Sequence, residues 1–183
     1  MTARAILVVD MIRDFVTGKL GFKGAEEAAK KLKPVLEVAR EKGLPIIYIC
    51  DSHKKSDPEI SIWGEHAMKG TRGAEVIDEL SPRKGEMVLE KHTYSAFFST
   101  GLEEALRKKK VREVVIAGVV TNICIQHTAA DAFFRGFRVT ILEDCTAAVD
   151  EKTHRESIEY MRRMYGARIV SSGDFIKEMG VKS

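Results

Sequence analysis

The sequence is poor in several residue types, and each shortage argues against a class of protein. It contains only three cysteines, Cys50, Cys124 and Cys145. Because their number is odd and they are widely spaced, they indicate reduced thiols rather than a disulfide framework. No apolar run approaches the roughly 20 residues that a membrane span needs, and the run at residues 5–9 is too short for a signal peptide. We therefore expect a cytoplasmic protein that does not bind a membrane.

Amide side chains are rarer still, with one asparagine (Asn122) and one glutamine (Gln126) in 183 residues. Few thermolabile amides together with abundant Lys, Arg and Glu are typical of a heat-adapted source. Both amides flank Cys124, where their chemistry could be needed. Three further signatures are absent: a G-x-G-x-x-G after the first strand, a G-x-x-x-x-G-K-[ST] loop and a C-x-x-C pair. Dinucleotide binding, nucleotide triphosphate binding and thioredoxin-like redox chemistry are therefore disfavoured.

Charge of one sign is not concentrated anywhere, since the formal net charge is only +3 and the basic residues are scattered among acids. The densest basic run is RKKKVR at residues 107–112. It lies where a helix should end, and cations there complement the helix dipole. A solvated helix end explains this run better than nucleic-acid binding does.

Short apolar runs alternate with longer amphipathic stretches along the chain. This alternation predicts one α/β domain over residues 1–183, with a parallel sheet covered by helices on both faces. The predicted strands are 5–10, 45–50, 86–91, 113–119, 138–144 and 167–170, and the main predicted helices are 24–43, 99–110, 122–135 and 151–166. Residues 51–73 have little periodicity, and long irregular segments in compact domains are usually functional.

Polar residues stand where the first four predicted strands end. Asp10 ends the first strand, and Asp51 and His53 follow the second. Lys91 ends the third, and residues 121–124 follow the fourth. In open α/β sheets ligands bind beyond the carboxyl ends of the strands, so we expect these side chains to gather at one edge of the sheet.

Cys124 falls in the first turn of a predicted helix. Backbone N–H groups there lower a thiol pKa from about 8.5 to a value in the range ~3.5–7.5, and a cation such as Lys91 would act in the same direction. Asp10 could serve as the general base. His127, one helical turn further on, is a rival base. The alternative is that Cys124 is simply a small buried hydrophobic residue.

The irregular segment offers a second constellation. Asp51 and His53 share a face of an extended segment, and His66 could complete a set of three. One carboxylate and two imidazoles suit Zn²⁺, or Fe or Mn ions, although a capping Asp and two surface histidines would give the same letters. Trp63 and Phe15 are each either a wall for a flat ligand or local packing.

With Asp10, Lys91 and Cys124 in this arrangement, the chain resembles the isochorismatase-like cysteine hydrolases, and within them the nicotinamidase/pyrazinamidase branch. The resemblance runs through ILVVDMIRDF, GTRGAEVIDEL, LEKHTYSAFFSTGLEEAL, VVIAGVVTNIC and TILEDCTAA, which cover nearly the whole chain in order. It implies a Rossmann-like three-layer sandwich around a six-stranded parallel sheet. It also implies that Asp10, Lys91 and Cys124 form the catalytic triad.

The same resemblance implies further roles in the site. Asp51, His53 and His66 fall on the metal-ligand positions, and Trp63 and Phe15 on aromatics that pack against a pyridine ring. A cis peptide bond is implied between Val119 and Val120, with the N–H groups of Val120 and Cys124 holding an oxyanion. Ser52 and Ala67 depart from the pattern, since nicotinamidases usually carry Trp and often Cys at these positions.

The expected activity is cysteine-dependent hydrolysis of a small carboxamide through a thioester, and the leading candidate is hydrolysis of nicotinamide to nicotinate and ammonia. The expected cofactor is a divalent metal ion, Zn before Fe or Mn, and family members are often homo-oligomers. Three alternatives stay open: an amidase for a carbamoyl or ureido substrate, an isochorismatase-type vinyl-ether hydrolase, and a non-catalytic binding protein.

Overall fold

The strands form one parallel sheet. In the computed structural model, which describes residues 3–180, six strands are hydrogen-bonded in the order β3-β2-β1-β4-β5-β6. This confirms the predicted sheet, and its order is the doubly wound order of Rossmann-like folds. The strands are β1 (Arg4–Val9), β2 (Ile46–Asp51), β3 (Met87–Lys91), β4 (Glu113–Val119), β5 (Arg138–Ala147) and β6 (Arg168–Val170).

Helices connect the strands and cover the sheet. They are α1 (Arg13–Val16), α2 (Lys23–Glu41), α3 (Ile60–Trp63), α4 (Leu102–Lys108), α5 (Gln126–Phe134), α6 (Glu151–Tyr165) and α7 (Ser172–Glu178). The four main predicted helices are all present. The sequence pattern missed α1, α3 and α7, because four to seven residues are too few to show a helical period. None of the described helices is long and apolar enough to cross a membrane.

The two faces of the sheet bury separate apolar clusters. On one face α2 and α7 pack against alternate residues of β1, such as Ile6 and Val8. On the other face α4, α5 and α6 pack against Leu7 and Val9. Since successive strand residues point to opposite faces, β1 reads as a continuous apolar run, as expected for a strand covered on both sides.

Helix ends explain two of the predicted boundaries and correct a third. The Asp150 carboxylate accepts a hydrogen bond from Thr153 N–H and so caps the start of α6, and Gly166 ends the helix in a left-handed conformation. Pro34 does not end a helix, because α2 continues through it from Lys23 to Glu41. Helix α4 begins at Leu102 rather than at the predicted residue 99, because Gly101 occupies the N-cap position, and the Thr100 hydroxyl accepts a hydrogen bond from Leu102 N–H over 3.2 Å.

The carboxyl ends of β1 and β4 approach each other closely. A Cβ on Gly118, which has a φ of +123°, would lie 1.9 Å from the carbonyl oxygen of Val9, so only glycine fits there. Asp10, the residue directly after β1, has a φ of +54°, an uncommon conformation for a residue with a side chain. The bond between Val119 and Val120 is cis, as predicted. The order of the strands changes direction between β1 and β4, which places the expected ligand crevice at these residues.

Candidate active site

Three side chains that are distant in sequence meet just beyond the strand ends. The Nζ atom of Lys91 lies 2.8 Å from Oδ2 of Asp10 and 3.6 Å from Sγ of Cys124. Asp10 and Lys91 are fully buried and Cys124 is 5% exposed, so the group is shielded from bulk water. The structure therefore brings together the acid, the amine and the thiol that the sequence predicted to converge.

A second carboxylate joins this group. Oδ1 of Asp51 lies 2.5 Å from Nζ of Lys91, and the backbone N–H of Asp51 donates to Oδ1 of Asp10 over 2.8 Å. Lys91 thus carries its charge between two buried carboxylates. A buried cation is tolerated when it is paired and hydrogen-bonded in this way.

Charge and burial set the protonation of the group. Burial and the nearby Asp51 raise the pKa of Asp10 to about 7, although Lys91 acts in the opposite direction. Burial disfavours the ammonium of Lys91, but Asp10, Cys124 and Asp51 together raise its pKa well above the ordinary value. Lys91 is therefore a fixed positive charge, while Asp10 can accept or release a proton near neutral pH.

The thiol differs from the expectation drawn from the sequence. Cys124 lies in a π-helical turn, Thr121–Ile125, which leads directly into α5, so its position at a helix start is as predicted. Its pKa, however, is raised well above the ordinary value, first by burial and then by Asp10 and Asp51, against the opposing effect of Lys91. The prediction of a resting thiolate was wrong, because complete desolvation outweighs one neighbouring cation. The thiol is protonated at rest, with a carboxylate base beside it.

The site also holds a backbone N–H without a hydrogen-bond partner among the described residues, that of Val120. Val120 is partly buried, lines the pocket and precedes the turn that carries Cys124. Its carbonyl oxygen accepts hydrogen bonds from the N–H groups of Ile123 and Ile125, at 3.0 and 3.3 Å. No residue between 3 and 180 accepts a hydrogen bond from its own N–H. This donor is available to a ligand.

Four potential metal ligands lie on the other side of the pocket. Ligand atoms of Asp51, His53, Glu59 and His66 all lie within 4.8 Å of one another, and all four residues are buried. Nε2 of His53 is 3.4 Å from Oδ2 of Asp51 and 3.7 Å from Oε2 of Glu59. The structure therefore brings the three predicted ligands together and adds Glu59, which sequence reasoning missed. Glu59 stands six residues after His53, on the loop that leads into α3, and nothing in the periodicity marks it.

Hydrogen bonds orient both histidine rings of this cluster. Nδ1 of His53 lies 3.1 Å from Oδ2 of Asp57, and Nδ1 of His66 lies 2.7 Å from the carbonyl oxygen of Gly64. Each ring is thereby turned so that Nε2 is the nitrogen left for a metal. Metal-binding histidines commonly donate their other nitrogen to a carboxylate or carbonyl in this way.

The donor set fits a divalent metal ion. Nε2 of His53 and Oε1 of Glu59 are buried and have no hydrogen-bond partner among the described residues. Buried polar atoms without partners are costly, and a bound cation would satisfy both. Two imidazoles and two carboxylates at this spacing suit Zn²⁺, and also Fe or Mn ions.

A pocket of about 300 Å³ connects the thiol with the metal-ligand cluster. Phe15 is buried and its ring centroid lies 5.6 Å from that of His66, while Trp63 is 46% exposed and donates from Nε1 to the hydroxyl of Tyr94. Both predicted aromatics therefore line the pocket rather than only filling a loop. The remaining lining residues are Leu20, Phe22, Asp51, Glu59, His66, Tyr94, Val120, Asn122, Ile123, Cys124, Val149, Asp150 and Thr153.

Two histidines outside the cluster are now assigned. His127, the rival base, is exposed, and its Nδ1 lies 2.7 Å from the carbonyl oxygen of Ile123. A carboxylate oxygen of Asp10 lies within 4.8 Å of Sγ of Cys124, which removes the reason to invoke His127 as the base. His154 is partly buried and hydrogen-bonded to Thr121.

Comparison with known proteins shows similarity to one protein family along most of the chain. The family model described as the isochorismatase domain matches residues 4–174. Nicotinamidase 3 of Arabidopsis thaliana is 34% identical over 161 residues, which cover 84% of this chain and 78% of that protein.

Two solved structures are similar over nearly their whole length. N-carbamoylsarcosine amidase from Thermoplasma acidophilum is 43% identical, with a TM-score of 0.89 and coverage of 94% of this chain and 97% of that chain. Pyrazinamidase of Pyrococcus horikoshii, in complex with zinc, is 29% identical, with a TM-score of 0.86 and coverage of 92% and 99%. The similar proteins thus include amidases that differ in substrate.

Proposed function

Because the chain belongs to the isochorismatase family and is an amidohydrolase, we propose that it hydrolyses a neutral aromatic carboxamide, with nicotinamide as the leading candidate. The observation that carries this proposal is the composition of the pocket beside Cys124. Phe15, Trp63 and Tyr94 present flat apolar surfaces, and a volume of about 300 Å³ suits a single aromatic ring better than a large ligand.

Charge also favours a neutral substrate. The lining residues, all within 3–180, include the carboxylates Asp51, Glu59 and Asp150 but no lysine or arginine. A substrate with its own carboxylate would find no basic side chain in this lining to pair with, and the metal ion proposed below would be the one cation that it could reach there. An uncharged amide has no such unfavourable electrostatic interaction with the lining.

The proposed reaction begins with proton transfer from the thiol. As a carboxylate, Asp10 takes the proton of Cys124 while the sulfur attacks the carbonyl carbon of the amide. Lys91 stays charged, holds Asp10 in place and stabilises negative charge on the sulfur. Asp10 then returns the proton to the leaving nitrogen, the C–N bond breaks and ammonia departs. Asp10 then deprotonates a water that attacks the thioester carbon, the C–S bond breaks, the carboxylic acid leaves, and Asp10 returns the proton to the sulfur of Cys124.

Negative charge develops on the carbonyl oxygen during both halves of the reaction. The unpaired N–H of Val120, together with the N–H of Cys124, would hold this oxyanion. Preorganised donors of this kind matter, since the loss of one typically costs about 2.7–4 kcal/mol of barrier. The proposal thus uses both backbone donors that the sequence pointed to.

The metal site belongs to the same proposal. Asp51, His53, Glu59 and His66 would hold the ion, with Zn²⁺ preferred because of their nitrogen and oxygen donors. When bound, the ion supplies a Lewis acid that can orient a ring nitrogen or a water beside the substrate. Asp57 would keep His53 facing the ion, and the aromatic walls would exclude water from the thiol.

The second candidate is an amidase for a carbamoyl or ureido substrate. The 43% identity to N-carbamoylsarcosine amidase favours it. The absence of a basic residue from the described lining disfavours those members of the class that carry a carboxylate. A homo-oligomeric assembly, a cytoplasmic location, heat adaptation and one domain over residues 1–183 stay predictions from the sequence.

A substrate panel tests the proposal. Ammonia release is measured with nicotinamide, pyrazinamide and an N-carbamoyl amino acid, on protein loaded with Zn²⁺. We expect the two neutral ring amides to have the higher kcat/KM. A higher kcat/KM for the carbamoyl acid would overturn the proposal in favour of the second candidate.

A single substitution sharpens the test of charge. Val149 is 78% exposed and lines the pocket, so Val149→Arg would place a cation there. We expect the preference to move toward the carbamoyl acid by about tenfold, the effect of about 1.4 kcal/mol of differential binding. Val88→Arg is the matched control, because Val88 is a half-exposed valine on β3 that does not line the pocket.

A further inference from the structure

Helix α6 reaches the turn that carries the nucleophile. Thr121, the first residue of that turn, is fully buried, and its Oγ1 lies 2.9 Å from Nδ1 of His154. Among the described residues this is the one side-chain hydrogen bond between the turn and α6. His154 is only partly buried and comes from the first turns of the helix.

Thr121 occupies a sensitive place in the chain. It stands between Val120, a pocket-lining residue whose N–H has no partner among the described residues, and the residues that lead to Cys124. The hydrogen bonds from Ile123 and Ile125 to the Val120 carbonyl fix the shape of the turn but lie wholly within it. They do not determine how the turn is oriented against the rest of the protein. The hydrogen bond to His154 does this, because it ties the turn to helix α6.

The chemistry of the pair suits a static hydrogen bond. Burial lowers the pKa of His154 below its ordinary value, so the ring is neutral at neutral pH and has one donor and one acceptor nitrogen. The threonine hydroxyl can donate to the ring or accept from it, and either arrangement satisfies the buried group. Glu143 and Glu151 are the charged groups near the ring, and both act against the effect of burial.

We propose that His154 is a positioning residue, which holds through Thr121 the turn that aims the Val120 N–H and the Cys124 thiol at the substrate carbonyl. This inference rests on the proposed amide hydrolysis. It assigns a mechanistic role to a residue that touches neither the thiol nor the pocket. A displacement of well under 1 Å in the turn would weaken both the attack and the oxyanion contacts, whereas the aromatic walls would be unchanged.

The first test separates kcat from KM. His154→Ala should lower kcat by about 10–100-fold, as expected when reacting groups are misplaced, and change KM for the amide by less than about twofold. His154→Asn should recover most of kcat, because the side-chain amide places a polar atom near the position of Nδ1. Ser157→Ala is the matched control, since it removes a buried hydrogen bond within α6 to the Thr153 carbonyl and leaves Thr121 untouched.

A double-mutant cycle tests whether His154 acts on the turn through Thr121. Thr121→Val removes the hydroxyl at nearly constant shape, and its loss in kcat should not multiply with that of His154→Ala. Losses that multiply, or a kcat for His154→Ala within about twofold of the unchanged protein, would overturn the inference.

Hydrogen exchange separates failure of this inference from failure of the proposed function. In His154→Ala, amides of the turn Thr121–Ile125 should exchange faster while those of β1 and β2 keep their protection. Exchange that matches Ser157→Ala would refute the positioning role even if no amide substrate were hydrolysed. Absence of ammonia release by the unchanged protein would contradict the proposed function alone.

Discussion

The two sides of the pocket are built from different kinds of structure. The thiol side consists of Asp10, Lys91 and Cys124, which all lie within one residue of a strand end or in the turn directly after one. The histidine side consists of Asp51, His53, Glu59 and His66, and only Asp51 belongs to a strand. The remaining three lie on the irregular segment 52–73. The first side is therefore set by the sheet and the second by a loop.

The loop is held by hydrogen bonds from neighbouring segments. The carboxylate of Asp14 accepts from Ala67 N–H over 2.7 Å, and the backbones of His53, Ala67 and Lys69 are linked at 2.9 Å. A Cβ on Gly73 would meet the Asp14 carboxylate at 2.4 Å, so the loop passes too close to it for a larger residue. Such contacts are fewer than those of a sheet interior, and the histidine side is the one we expect to change without unfolding the protein.

Lys91 joins the two sides, because it pairs with Asp10 on one and Asp51 on the other. A change on the histidine side can therefore reach the thiol through charge.

Cys124→Ala should abolish amide hydrolysis, with a loss of at least about 10⁴-fold in kcat, because no other nucleophile replaces the thiol. Zinc content and the melting temperature should stay near those of the unchanged protein, since the histidine side keeps all its ligands. Steady-state kinetics and metal analysis measure the two effects. Cys145→Ala, which removes a buried cysteine far along β5, is the control. Retained turnover in Cys124→Ala would end the proposed mechanism.

Lys91→Met should damage both sides together. It leaves Asp10 and Asp51 as two buried carboxylates without their cation, and removal of one partner from a buried ion pair costs about 3–5 kcal/mol of unfolding free energy. Chemical denaturation measures this loss, and kcat should fall as well. If the variant kept its stability, Lys91 would not be the charged link between the two sides.

The comparison also explains how much the sequence could predict. Alternation of strands and helices placed Asp10, Asp51, Lys91 and Cys124 at one edge, because parallel strands bring their carboxyl ends together. The short helices and the candidate ligand Glu59 were missed, since a loop without periodicity gives no rule for its path. The prediction that Cys124 is ionised at rest was wrong for a related reason. Burial of a side chain depends on the whole fold, and burial decided the sign of the shift.

Asp57→Asn should act directly on the histidine side and not on the thiol side. The substitution weakens the hydrogen bond that orients His53, and loss of such support typically lowers metal affinity by about 10–100-fold. Titration of the metal-free protein with Zn²⁺ measures the effect by calorimetry, without reference to activity. His53→Ala gives the upper limit, because it removes the ligand itself and should lose the metal. Equal affinities of Asp57→Asn and the unchanged protein would exclude an orienting role for Asp57.

The dependence of kcat/KM on pH should show the smallest effect, and it reports on both sides at once. Asp10 must be ionised to take the thiol proton, and its pKa is raised to about 7, so kcat/KM should rise as the pH increases through about 7. Asp51 is the second cause of that raised pKa, after burial. A metal ion bound to Asp51 would neutralise part of its charge, which lowers the pKa of Asp10 and moves the rising limb to lower pH in the zinc-loaded protein than in the metal-free protein. Profiles measured with one non-titrating amide in both states test this. If the limb stayed in place while zinc bound, the two sides would not be coupled through Asp51.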